Sequence, residues 1–228
     1  MKKCSGVLFD FNGTLFFDSE MHMEALRRVF PRFGKPTPTD AYILGNVFGR
    51  PNEIIYRQNF KADATAEECM AFCHAKDALY YEQCLAHPER MHLAQGAEAL
   101  LDHLKENEIP YCLATGSAKT EVDFYMEHLN LSRWFSWDNM VYQDGTFPGK
   151  PAPDCYRLAA ERIGLSTAEC LVFEDSVSGI RAAQSAGVGG IIAVYAEKFP
   201  SPVSEDTPAD AVYHDFTDWK AIIENYGF

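Results

Sequence analysis

The apolar run Val7-Leu8-Phe9, with no polar position inside it, reads as a strand buried on both faces. Beyond it the period changes. Met21, Ala25, Leu26 and Val29 fall on one side of a helix predicted over residues 18–32, which Pro31, Gly34, Pro36 and Pro38 are expected to end. Further helical stretches are predicted over 39–44, 52–60 and 65–85, with no strand pattern among them, so the segment from Phe17 to Pro88 reads as an all-helical insertion. From Gly96 onward helices over 97–107, 118–130, 153–163 and 177–186 alternate with strands over 110–114, 170–173 and 190–194. Alternation of this kind predicts right-handed crossovers and a doubly wound parallel sheet, the α/β class. Gly164 and Gly187 stand where helices would close in a left-handed conformation. Residues 197–209 are expected to form a surface loop before a last strand over 211–213 and a terminal helix. Trp134 and Phe135, with Trp137, are expected to anchor a loop against the sheet.

A chain of 228 residues suits one core with an insertion, and the expected division is 1–16 with 89–228 for the core and 17–88 for the helical part. Its formal charge of −13 opposes nucleic acids and anionic membranes, which call for a basic face, and leaves a small molecule as the expected partner. Seven cysteines, at 4, 69, 73, 84, 112, 155 and 170, show no zinc-type pairing. Cys69 and Cys73, one helical turn apart with His74 following, read as packing residues. A reducing compartment fits this usage. Met1-Lys2-Lys3 leads into a strand, and no run approaches the length of a membrane span, so a cytoplasmic location is the expectation. A monomer is expected, with a homodimer as the alternative.

Chemistry-bearing residues recur where predicted strands end. They are Asp10 in DFNGTL, Thr115 in ATGS, Lys150 in GKPAPD and Glu174-Asp175 in VFEDS. Each has a structural explanation when read singly: an acid or hydroxyl there can cap the next helix, and Lys150 can be a solvated loop residue. Together they supply a nucleophile, a hydroxyl, a cation and an acidic pair at one sheet edge. That combination suits a phosphate site, because ligands of open α/β sheets gather beyond the carboxyl ends of the strands. Gly13 lets the backbone turn where a side chain would obstruct an approaching anion.

These motifs, their order and the helical insertion after the first of them resemble the haloacid dehalogenase superfamily, whose phosphatases carry D-x-D-G-T where this chain has Asp10 to Thr14. The resemblance implies an aspartyl phosphate formed on Asp10, and Mg²⁺ held by Asp10, Glu174, Asp175 and the main-chain carbonyl of Asn12. It implies that Thr115 and the N–H groups near Gly116 grip phosphate oxygens while Lys150 balances their charge. The insertion is similar to the cap of the beta-phosphoglucomutase-like phosphatases. By that likeness Gly49 and Arg50 would hold a nonreacting part of the substrate, Ser117 and Lys119 would face the same distal anionic group, and His22 would lie near the hinge between cap and core.

Asn12 departs from the family pattern. Where the phosphatases place a second Asp to protonate the departing oxygen, an amide has no proton to give and none to take. Such catalysis is usually worth about 10²- to 10⁴-fold, so slow hydrolysis of a small phosphorylated metabolite, for instance a sugar phosphate, is the leading expectation. The amide is open to three readings: a natural variant with another proton carrier, a protein that binds phosphate without turnover, or an engineered trap. A beta-phosphoglucomutase-type transferase is the nearest alternative, although a mutase depends more on the second acid. A dehalogenase would also lack that acid, but Glu174-Asp175 would then be buried without a cation. A phosphonatase would require a Schiff-base lysine, and no spacing singles out Lys35, Lys61 or Lys76. A phosphometabolite-binding protein is the reading from outside enzymology.

Overall fold

The computed structural model describes residues 3–47 and 50–228. The chain divides into two compact units, Met1–Phe17 with His92–Phe228, and Asp18–Met91.

In the first unit β1 (Gly6–Phe9) is fully buried, as its continuous apolar sequence requires. β2 (Tyr111–Ala118), β3 (Met140–Gln143), β4 (Cys170–Glu174), β5 (Gly190–Val194) and β6 (Ala211–Tyr213) join it in a six-stranded sheet of order β3-β2-β1-β4-β5-β6, with every pairing parallel. Helices α5 (Ala97–Glu106), α6 (Lys119–His128), α7 (Asp154–Arg162), α8 (Val177–Ala186) and α9 (Trp219–Glu224) alternate with these strands or follow them. The doubly wound α/β architecture is the one the alternation predicts. β1 pairs with β2 on one side and β4 on the other, with Phe9 level with Leu113 and Phe173. The residues that follow on these strands therefore reach a common edge. Below that edge, stacked Phe9 and Phe173 with Phe216 pack on one side, while Leu8, Cys112, Val172 and Ile180 belong to the other core cluster.

Local differences from the sequence expectation have physical causes. β2 continues to Ala118, with a register shift against β3 between Ala114 and Ala118, so Thr115, Gly116 and Ser117 are strand residues and no helix start. β3 has no counterpart in the predicted pattern, because an edge strand of four residues leaves too short a period to read. Pro31 lies inside α1 (Ser19–Arg32) and does not stop it earlier. Phe33 and Gly34 close that helix by donating to the carbonyls of Phe30 and Pro31. Gly187, at φ +72°, ends α8 in the left-handed region. Trp134 and Phe135 are buried, whereas Trp137 is exposed.

The second unit consists of α1, α2 (Asp40–Asn46), α3 (Asn52–Asn59) and α4 (Ala66–Ala86), with a short 3₁₀ turn after them. Phe30, Phe33, Tyr56, Phe60 and Phe72 form its aromatic centre. Thr65 and Glu68 form a reciprocal capping box that starts α4. Buried Asp18 accepts from the Tyr80 hydroxyl at 2.6 Å, and His22 Nε2 lies 3.1 Å from the same carboxylate oxygen. The His22 ring stacks on Tyr80 with centroids 4.0 Å apart. No helix among the described residues is long and apolar enough to cross a membrane, and the seven cysteines are free thiols.

Candidate active site

Asp10 directly follows β1 and hydrogen-bonds to the neighbouring strand through its N–H, which donates to the Phe173 carbonyl at 3.0 Å. The turn after it depends on Gly13, at φ +80°. A Cβ there would lie 1.9 Å from Asp175 Oδ2. Glycine is therefore required twice, by the backbone conformation and by the close approach of an acid from the β4 edge.

Lys150 Nζ donates at 2.6 Å to Asp10 Oδ1 and at 2.6 Å to Glu174 Oε1. Glu174 is wholly buried. Its Oε1 also accepts from the Tyr156 hydroxyl at 2.8 Å, and its Oε2 accepts from the N–H groups of Asp175 and Ser176 and from Ser176 Oγ. Gly179 makes room for it, since a Cβ there would sit 1.6 Å from Glu174 Oε1. Thr14 Oγ1 lies 3.3 Å from Asp10 Oδ2 and 3.5 Å from Asp175 Oδ1, where its proton can be shared. Asn12 is bound from two sides, its Nδ2 donating to the Tyr125 hydroxyl at 2.7 Å and its Oδ1 accepting from Ser117 Oγ at 2.8 Å.

The electrostatics are dominated by burial. Burial pushes the Asp10 carboxyl up to about 7; Lys150 opposes that shift and Glu174 adds to it. For Glu174 burial also acts upward, but Lys150 and the donors from Ser176 and Tyr156 outweigh it and hold the group below the usual range. Burial would depress the Lys150 ammonium, yet Asp10 and Glu174 together raise it well above its ordinary value. The cluster thus keeps Lys150 and Glu174 charged, while loss of solvent raises Asp10 by more than Lys150, which acts on it more strongly than Glu174, offsets.

Asp10, Glu174 and Asp175 each offer an oxygen, and these atoms lie within 4.8 Å of one another. All three are hard donors, the kind Mg²⁺ takes. An excess of buried negative charge beside Lys150 fits a divalent cation as well. A cavity of about 730 Å³ lined by His103, Asn107, Trp219 and Lys220, among others, contains none of these residues.

Asp10, Lys150, Glu174 and Asp175 are connected by direct contacts or close approaches within the first unit, where Asn12, two residues after Asp10 in the chain, contacts Ser117. Thr115 adjoins them, buried, with its Oγ1 accepting from the Ser117 N–H at 3.1 Å. At Gly116 a Cβ would meet nothing within 4 Å. Lys119 is engaged elsewhere, with Asp123 at 2.7 Å and its ammonium 4.3 Å from the Trp137 ring centroid. His22 and Arg50 belong to the helical unit, where Arg50 donates to Gln58 at 2.8 Å. Gly49 lies outside the described residues. Sequence reasoning did not single out Tyr125, Tyr156 or Gly179, which sit mid-helix or near a helix start with no local signal. Thr14 stands within DFNGTL, where nothing in the local sequence marks its hydroxyl.

A model described as haloacid dehalogenase-like hydrolase matches residues 4–187. The chain is 31% identical over 190 residues to a phosphorylated carbohydrates phosphatase of Thermotoga maritima, covering 82% of this chain and 84% of the relative. It is 32% identical over 199 residues to a probable pseudouridine-5'-phosphatase of Drosophila melanogaster, covering 82% and 80%. Among solved structures, a HAD hydrolase of family IA, variant 3, from Entamoeba histolytica superposes with TM-score 0.83 at 34% identity, over 94% of each chain.

Proposed function

Since the chain belongs to the haloacid dehalogenase-like hydrolases, we propose that it is a Mg²⁺-dependent phosphomonoesterase that hydrolyses a small phosphorylated metabolite, such as a sugar phosphate, through an aspartyl-phosphate intermediate on Asp10. The observation that carries this is the buried bridge of Lys150 between Asp10 and Glu174, at 2.6 Å to each, with Asp175 beside them. Similarity to phosphatases of phosphorylated carbohydrates and of a nucleoside phosphate supports the substrate class.

Asp10, Asp175 and the main-chain carbonyl of Asn12 would hold Mg²⁺, with Glu174 adding its charge to the cluster. When bound, the ion would supply a positive centre that offsets the charge of phosphate oxygens and nucleophile. The residues do the rest. Asp10, placed at a strand end, attacks phosphorus; the alkoxide leaves, and water later cleaves the acyl phosphate to regenerate the carboxylate. Lys150, already fixed by two carboxylates, neutralises charge without reorganising. Thr115 and the N–H of Gly116 would bind phosphate oxygens. Asn12 can only donate a hydrogen bond to the departing oxygen, so alkoxides leave slowly. The helical unit takes the role of cap in this reading, and His22, Gly49 and Arg50 are its candidate substrate contacts, while Ser117 and Lys119 are candidates of the first unit.

A panel of phosphoesters assayed with and without Mg²⁺ tests the reading. Phosphate release that EDTA abolishes is the expected result. Tight binding of beryllium fluoride with no turnover of any ester would favour a binding protein. Glucose 6-phosphate formed from beta-glucose 1-phosphate would make the chain a transferase, and activity surviving EDTA would remove the metal.

Cation binding should be linked to protons. Without an ion Asp10 keeps its proton up to about pH 7, so at pH 6 an incoming cation displaces it and at pH 8 finds it gone. Titration calorimetry at pH 6 should record release of close to one proton per Mg²⁺ and an affinity roughly tenfold below that at pH 8. Equal affinities at the two values would take Asp10 out of the ligand set.

A further inference from the structure

Asn12 is held on two sides by residues far away in sequence. Tyr125, on α6, is 1% exposed, and its ring packs 4.8 Å from Phe11 and 6.0 Å from Phe16, which flank the loop that carries Asn12. Its hydroxyl accepts a hydrogen bond from Asn12 Nδ2 at 2.7 Å, and Ser117 Oγ, on the neighbouring strand β2, donates to the Asn12 amide oxygen at 2.8 Å. An asparagine side chain offers two donors and an acceptor whose directions rotate with χ2. With both ends bound, that rotation stops.

We propose that Tyr125 is a positioning residue of the phosphoryl-transfer site: with Ser117 it clamps the Asn12 amide in one orientation beside Asp10. The kinetic consequence rests on the phosphatase reading, while the geometry does not. An amide in place of an acid contributes only through the direction of its hydrogen bond to the departing oxygen. Such a bond is worth roughly five- to tenfold in rate when aligned and little when the amide is free to turn. The hydroxyl of Tyr125 therefore governs what remains of leaving-group assistance in this chain, and the ring governs packing.

Tyr125→Phe separates the two roles because it leaves the ring among Phe11 and Phe16. Turnover of a sugar phosphate should fall about five- to tenfold with KM almost unchanged, and turnover of 4-nitrophenyl phosphate, whose leaving group needs little help, about twofold at most. In an Asn12→Ala background the same substitution should cost nothing further, a coupling that general loosening of the fold would not produce. Ser117→Ala opens the clamp from its other side and should be non-additive with Tyr125→Phe. A readout free of turnover is the Asn12 side-chain amide in nitrogen-15 spectra, assigned by its disappearance in Asn12→Asp: its paired proton signals should shift and broaden in Tyr125→Phe while the backbone spectrum stays native. That spectral change in a protein that turns over no phosphoester would uphold the clamp and end the phosphatase reading. Unchanged amide signals, or equal losses on both esters that persist with Ala at position 12, would overturn the clamp and leave the phosphatase reading intact.

Discussion

Asn12→Asp should raise kcat on alkyl phosphates by about 10²- to 10⁴-fold, the usual worth of a positioned general acid and base, and raise it far less on 4-nitrophenyl phosphate. The site is ready for the carboxylate. Ser117 Oγ already donates to the side-chain oxygen of residue 12, and the Tyr125 hydroxyl, now an acceptor, can turn to donate. Substitution therefore exchanges one satisfied polar group for another, which keeps the fold out of the comparison. The contrast between the two esters is the decisive measurement. A nitrophenolate departs without a proton, so acid catalysis has little to add; a sugar alkoxide does not. If the variant hydrolyses sugar phosphates no faster than the native chain, proton transfer at residue 12 is not what limits turnover.

Lys150→Ala should cost about 3–5 kcal/mol of stability, the penalty for removing one partner of a buried ion pair and leaving its counter-charge behind. Here two carboxylates are left, Asp10 and Glu174, both buried and both bound to the missing ammonium at 2.6 Å. Urea denaturation at pH 8 without divalent cations would measure the loss. Two accompaniments distinguish this cause from a simple cavity. Acidification should shrink the penalty starting above pH 7, since removing the lysine that opposes protonation lifts Asp10 above the value of about 7 it has in the native chain, and the variant takes up that proton first. Added Mg²⁺ should restore stability by mass action, about 2.7 kcal/mol at a hundredfold excess over its Kd. A variant as stable as the native protein at pH 8 would show that the acidic cluster does not depend on Lys150.

Much of this site was legible before any coordinates. Asp10, Lys150 and Glu174-Asp175 each follow a recognisable strand or turn, and the sheet brings together what their shared strand-end placement suggested. Ser117 is legible only in part: its strand-end position follows from the sequence, while the contact of its hydroxyl with Asn12 does not. Lys119 stands at the start of α6, where its sequence position suggested, and there pairs with exposed Asp123 beside Trp137. Tyr125 and Tyr156 carried no signal at all, because an aromatic residue inside a helix looks the same whether its hydroxyl meets an active-site group or lies in the core.

What the chain's order of residues determined by itself was the alternation of strand and helix, the helical insertion, and the strand ends at which acids and a lysine stand. These follow from short-range rules of period two or 3.6 and from the backbone freedom of glycine, all decided within a few neighbours. Tertiary structure alone decided that residue 12 is gripped by a tyrosine 113 positions away, that Lys150 bridges to an acid 140 positions away, and that burial lifts Asp10 to about 7. Contacts of that range depend on strand register and helix placement across the whole sheet, and desolvation depends on everything packed around a group, so neither is written in any local stretch of sequence.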